Sequence, residues 1–293
     1  MGLKARLFVI LQYVLPQHGL SWLVNKVTRM TFPPLKNALI RLAIKGFGVD
    51  MSQAAEPDPK SYASFNHFFT RPLRDNVRPL GDESSLLCPA DGSISQLGPI
   101  RDGTLVQAKG HTFTVSEFIT PAAGDAAAFA NGSFLTVYLS PRDYHRVHMP
   151  WTGTLSRSVY VPGKLFSVSP TTTAAIPRLF ARNERLITRF ECDFGPMIVA
   201  LVGAVCVSSM STVWEGVVTP GRRLRPADHQ GPMLKAGEEM GRFNMGSTVI
   251  VLLPPDAVSW RTELAPGASV QMGQALAAAR KPTTDAPAQQ THG

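Results

Sequence analysis

Gly241-Arg242-Phe243-Asn244-Met245-Gly246-Ser247-Thr248 runs directly into Val249-Ile250-Val251-Leu252-Leu253. The apolar run is short, largely β-branched and stopped by Pro254-Pro255, so it is expected to be a buried strand. A Gly-Ser pair at the mouth of such a strand is unusual. Glycine weakens a strand and marks a bulge or a place where the backbone is approached closely. With no Cβ at position 246, the Ser247 hydroxyl has open access to the Gly246 carbonyl. Attack there would cut the chain and leave residue 247 as a new N-terminus. Taken alone, the pattern describes a bulged strand equally well, so its partners elsewhere in the chain decide.

Working outward, the same texture of short strands between Gly and Pro recurs. Phe134-Leu135-Thr136-Val137-Tyr138-Leu139, Thr188-Arg189-Phe190-Glu191-Cys192 and the apolar stretch 197–207, broken by Gly203, are the clearest cases. Together they predict a β-rich, sandwich- or barrel-like catalytic domain over residues 61–280. Residues 281–293, rich in Pro, Thr, Gln and Ala, are expected to be a disordered tail. With 293 residues, 44% hydrophobic and 17% charged, the chain can bury a substantial core.

Residues 1–60 differ in kind. Lys4, Arg6, Lys26, Arg29, Lys36, Arg41 and Lys45 precede the first acid, Asp50, so residues 1–49 alone carry +7 and the remainder of the chain, with a total net charge of +8, is close to neutral. Residues 7–15 follow Lys4 and Arg6 in the manner of a secretory signal, but no small-residue cleavage site follows and the run is too short to span a bilayer. A second helix is expected from an N-cap at Ser21, with Leu23, Val27 and Met30 on one face. A third opens at Pro33-Pro34 and stops at Gly46, with Leu35, Leu39 and Leu42 on one face and Lys36, Asn37, Arg41 and Lys45 on the other. Apolar stripes with purely basic polar faces predict an interfacial anchor on an anionic membrane surface. No signature suggests nucleic acid. Cys88, Cys192 and Cys206 form no CxxC pair and are odd in number, which fits reduced, cytosol-facing thiols.

Two further stretches carry chemistry. Pro89-Ala90-Asp91-Gly92 places a carboxylate at a tight turn. Ser140-Pro141-Arg142-Asp143-Tyr144-His145-Arg146-Val147-His148-Met149-Pro150 places two histidines three residues apart after a strand. No third ligand arrives with metal-site spacing, so no metal is expected. Asp91, His148 and Ser247 instead supply the acid, base and nucleophile of a triad, in which His148 takes the Ser247 proton and Asp91 holds the imidazole tautomer. A plain serine hydrolase would be expected to carry a Gly-x-Ser-x-Gly elbow, which is missing.

These stretches, with Phe65-Asn66-x-Phe68-Phe69-x-Arg71-Pro72-Leu73-Arg74, Leu179-Phe180-Ala181-Arg182-Asn183-Glu184-Arg185, Phe194-Gly195-Pro196-Met197 and Gly246-Ser247-Thr248, resemble the bacterial, pyruvoyl-dependent phosphatidylserine decarboxylase proenzyme family. The resemblance runs from the N-terminal helices to about residue 280. One departure is Met245, where the family commonly has leucine; the two are similar in volume, so a change in cleavage rate is the most that is expected. The resemblance implies an α+β protein that cleaves itself between Gly246 and Ser247 by N→O acyl shift and β-elimination. Ser247 becomes a covalent pyruvoyl group, the sole cofactor, which forms a Schiff base with phosphatidylserine and accepts electrons as CO2 leaves, giving phosphatidylethanolamine. His145 is the expected proton donor to the carbanion. Ser167 is expected to touch substrate, and Arg71, Arg74 or Arg142 to hold the lipid phosphate. The family further implies a homodimer of two-chain protomers, peripheral on the cytoplasmic face of the bacterial inner membrane. Two competing readings are a serine hydrolase that does not cut itself and a non-catalytic membrane-surface protein.

Overall fold

The computed structural model describes residues 2–108, 110–206, 209–218 and 220–280, so the tail expected at 281–293 lies outside the described residues. Helices α1 (Leu3–Val14), α2 (Gln17–Thr28) and α3 (Pro33–Phe47) come first, followed by the short α4 (Phe65–Phe69) and then antiparallel sheets. The architecture is α+β, as expected. No single helix among the described residues is long and apolar enough to cross a membrane; α1 and α2 reach that length only as a pair bent by 88°.

Two helical details differ from expectation. Helix α2 starts at Gln17, directly after Pro16, which leaves Ser21 inside the helix, where its hydroxyl accepts from the Cys206 amide. Proline at the boundary sets the start more firmly than an interior serine does. Helix α3 starts at its two prolines as predicted and ends in the left-handed Gly48 at φ 70°. Its buried face, however, is Lys36, Ile40 and Ala43, while Leu42 is 68% exposed. The helix is apolar on two sides, and the ring-rich cluster of Tyr62, Phe65, Phe68 and Phe69 covers only one of them. Lys36 is accommodated on that side because its ammonium reaches the Lys60 carbonyl and Asn37 Oδ1.

The strand Thr248–Leu253 is buried at every position and lies mid-sheet. It is antiparallel to Ser133–Tyr138 on one side and Gly195–Val202 on the other, with Ile250 opposite Thr136 and Ala200. Burying its five aliphatic side chains is favourable by on the order of 10 kcal/mol before chain entropy is counted. The sheet continues outward through Arg185–Cys192 and Gly153–Val161 on one flank and Gly92–Pro99 on the other. A second, four-stranded sheet contains Arg146–His148 and Glu239–Phe243 as neighbours. Residues 244–247 therefore carry the chain from the small sheet into the centre of the large one. Both ends of this crossing are anchored by full ladders, so its few residues have little freedom to relax.

Candidate active site

Ser247 is 1% exposed at the entrance of the central strand, and its carbonyl accepts from the Leu139 amide at 2.8 Å. Its hydroxyl lies 3.4 Å from Thr248 Oγ1. Upstream, the Phe243 amide donates to the His145 carbonyl and the Asn244 amide to that of Ser209. The buried Asn244 side chain donates to Ser209 Oγ and Ser211 Oγ, both at 2.9 Å. Between this fixed residue and the fixed strand, Met245 is held at φ 103°, a conformation that favours glycine. Such a residue typically stores about 1–3 kcal/mol. The strain is in the backbone, so leucine at this position would carry it equally.

His145 lies against the glycine. A Cβ at position 246 would stand 2.0 Å from both Cδ2 and Nε2 of its ring, which is why position 246 must be glycine. The close approach inferred from the sequence is thus made by a histidine ring. The ring is fully enclosed, with Phe69 at 4.0 Å between centroids and Nδ1 donating to the Asp143 carbonyl at 2.8 Å. That bond places the neutral ring's lone pair on Nε2. Nε2 is buried and has no hydrogen-bond partner among the described residues. Burial, reinforced by the positive charge of Arg71, pushes the His145 pKa down to about 3. This unprotonated nitrogen faces Gly246 with its lone pair unengaged, and its low pKa makes it a weak proton acceptor in the resting site.

The other two members of the expected triad are engaged with other partners in the uncleaved chain. His148 donates from Nδ1 to the Gly237 carbonyl at 2.8 Å and accepts at Nε2 from the Tyr144 hydroxyl at 3.0 Å. Burial lowers its pKa as well. Asp91 is held by Arg78, whose Nε donates to Oδ1 at 3.0 Å, and by the Met272 amide at 2.8 Å. Asp91 and His148 are on adjoining segments, since the His148 amide donates to the Pro89 carbonyl. No hydrogen bond joins the Asp91 carboxylate to the His148 ring, or that ring to Ser247.

A cavity of about 340 Å³ opens beside Gly246 and Ser247, walled by Phe65, Phe69, His145, Ser167 and Met245. Ser167 therefore lines the same cavity as Gly246 and Ser247, and its amide is held by Gln12 of α1. The candidate phosphate ligands lie elsewhere. Arg71 and Arg142 line a separate, more polar cavity with Asp91, and Arg74 is exposed. Asn244 and Arg78 were not singled out from sequence. Asn244 directly follows the strand Glu239–Phe243, whose own Glu239 and Arg242 mask it as one more polar residue, and Arg78 carries no signal because its partner lies 13 residues away.

A buried Gly246-Ser247 pair beside the strained Met245, packed on a neutral histidine and opening on an apolar cavity, gives this α+β fold the candidate active site of an enzyme. A family model described as phosphatidylserine decarboxylase matches residues 65–278, and a second, described as PSD, matches residues 7–48. The chain is 51% identical over 281 residues to the phosphatidylserine decarboxylase proenzyme of Ectopseudomonas mendocina, covering 94% of this chain and 98% of that one. It is 53% identical over 272 residues to that of Xanthomonas oryzae pv. oryzae, covering 91% and 96%. Against that of Bordetella avium it is 47% identical over 293 residues, covering 98% and 100%. The chain belongs to the phosphatidylserine decarboxylase family, and its reaction class is that of a decarboxylase, a carboxy-lyase. The hydrolase and non-catalytic readings fall away.

Proposed function

We propose that this proenzyme cleaves itself between Gly246 and Ser247 and then converts phosphatidylserine to phosphatidylethanolamine and CO2. The observation that carries this is the packing of the His145 ring on Gly246 beside a buried Ser247. The Ser247 hydroxyl attacks the Gly246 carbonyl, the peptide becomes an ester, and elimination frees residues 1–246 from residues 247–293. Position 247 suits a pyruvoyl group: it is buried, adjoins the cavity, and has its carbonyl fixed by Leu139. Such a group supplies a carbonyl for a Schiff base with the substrate amine and a sink for the electrons left by CO2.

For the first proton transfer, the family resemblance assigns His148 oriented by Asp91. In that role His148 exchanges its bonds to Gly237 and Tyr144 for contacts with Asp91 and Ser247. A second reading is favoured by the free Nε2 of His145 against Gly246, which makes His145 the base of self-cleavage. His145 remains the proposed proton donor in decarboxylation. The anionic substrate brings negative charge into the cavity, and this raises the ring's pKa from its low resting value. Purified His145→Ala and His148→Ala chains, compared on denaturing gels and for CO2 release from phosphatidylserine, separate the roles. An uncut His148→Ala chain with a cut but inactive His145→Ala chain supports the first assignment, and the reverse cutting pattern supports the second.

The protein is proposed to work on the cytoplasmic face of the bacterial inner membrane as a homodimer of two-chain protomers. Support for the membrane part comes from α1 and α2, where Leu7, Ile10, Leu11, Val14, Trp22 and Leu23 are exposed among basic residues. Arg74, exposed nearby in sequence to the aromatic cluster, and Arg142 remain candidates for the lipid phosphate.

A further inference from the structure

A second, larger cavity of about 710 Å³ lies between α2 and the edge of the large sheet, away from Ser247. Glu184 faces it and is 2% exposed. A buried carboxylate ordinarily has several donors around it. Among the described residues this one has a single donor, a tyrosine hydroxyl. The Tyr160 hydroxyl lies 2.9 Å from Glu184 Oε2 and 3.0 Å from the Gly221 carbonyl, with a single proton to give. Among the described residues no hydrogen bond to Glu184 Oε1 is formed. Burial raises the Glu184 pKa, while the Tyr160 hydroxyl and the positive charges of His18 and Arg225 act in the opposite direction without offsetting it. At the mouth of the same cavity stand Lys26, Arg29 and Arg222, all exposed. Trp22 is also at the mouth, 62% exposed and continuous with the apolar surface of α1 and α2.

The arrangement is polar in a defined sense, with an under-solvated anion inside, three cations outside, and an apolar surface beyond them. A molecule complementary to it carries an ammonium at its inner end, a phosphate a few bonds outward and a hydrocarbon body beyond. We propose that this cavity is a second lipid site taking the phosphoethanolamine head group of a membrane aminophospholipid, ammonium against Glu184 and phosphate among Lys26, Arg29 and Arg222. A phosphoserine head group fits less well, because its extra carboxylate approaches Glu184. The site therefore selects the product-type lipid over the substrate-type lipid. The lipid source rests on the membrane reading proposed above; the head-group chemistry does not.

The test uses the full-length Ser247→Ala chain, which cannot form a reactive carbonyl, so that failure of the decarboxylase reading has no bearing on the outcome. Calorimetric titration with glycerophosphoethanolamine is expected to show binding at least tenfold tighter than glycerophosphoserine or inorganic phosphate. Adding Glu184→Gln, which retains an acceptor for Tyr160, is expected to weaken glycerophosphoethanolamine at least tenfold. The Arg29→Ala/Arg222→Ala pair, on the exposed rim, is expected to do the same without disturbing the core. Unchanged affinity in either variant, or equal affinity for the three probes, overturns the proposal. For the source, phosphatidylcholine vesicles are compared with and without phosphatidylethanolamine. Loss of the extra co-sedimentation in the Glu184→Gln chain supports a lipid occupant, and an unchanged increment overturns it.

Discussion

At position 246 an added methyl group would stand 2.0 Å from the His145 ring, and the ring is itself tied to Asp143 and pressed on Phe69. Gly246→Ala is therefore expected to push the ring off its bond at an overpacking cost of about 1–3 kcal/mol. It should slow self-cleavage at least a hundredfold, followed as conversion of the full-length band on a denaturing gel; cleavage at the unsubstituted rate would refute the packing argument. The histidine also makes a prediction in pH. The His145 pKa is about 3 in the fold against 6.5 when free, so below pH 6.5 the unfolded chain binds a proton that the folded one does not. Stability is therefore lost as pH falls from 6.5 toward 3, by up to about 1.4 kcal/mol per pH unit for this group. In the uncleaved Ser247→Ala background, His145→Gln should flatten that acid limb in urea titrations between pH 6.5 and 4.5. An equally steep limb would show that His145 is not held neutral. At this scale the sequence was informative wherever a residue's chemistry is local. Gly246, Ser247 and the two histidines announced themselves by type and spacing. Which histidine touches the bond did not follow, because that depends on the direction of each ring across a three-residue strand.

Helices α1 and α2 are attached to the catalytic domain through polar side chains. Gln12 accepts from the Ser167 amide and Gln17 from the Leu165 amide, while Gln17 also donates to the Gln12 carbonyl. The Gly163 carbonyl lies 3.0 Å from a ring nitrogen of His18. These contacts fix the loop that presents Ser167 to the cavity. Gln12→Leu is expected to cost about 1–3 kcal/mol through the orphaned Ser167 amide. In decarboxylation assays it should raise KM severalfold with little change in kcat, and an unchanged KM would show that the loop is positioned without α1. A further thread runs from Arg29, directly after α2, to Ser209, which also receives the Asn244 amide near Gly246 and Ser247. None of this was visible in the helical pattern, since glutamines on an apolar helix read as solvent-facing until the loop they meet is known. For the same reason the burial of Lys36 on α3 is not legible in the pattern: periodicity shows where apolar residues lie, not which side of the helix finds a partner.

Across the whole molecule, the division into a basic helical segment and an antiparallel β-rich body followed from composition and from the alternation of strands with Gly and Pro. The order of strands did not, because the central strand pairs with segments more than 100 and about 50 residues distant. The charge and the exposed apolar residues of α1 and α2 act together at one end of the chain. Leu7→Glu with Leu11→Glu, at positions 57% and 45% exposed, should reduce co-sedimentation with anionic vesicles at least tenfold at low salt without lowering thermal stability. Undiminished sedimentation would place the membrane-binding surface elsewhere. The proposed activity depends on the breaking of one peptide bond. Intact-mass measurement of the purified protein tests it most directly. The expected result is two polypeptides, residues 1–246 and residues 247–293, the smaller with an N-terminus blocked to sequential degradation. A single unbroken polypeptide that nonetheless releases CO2 from phosphatidylserine at full rate would contradict it.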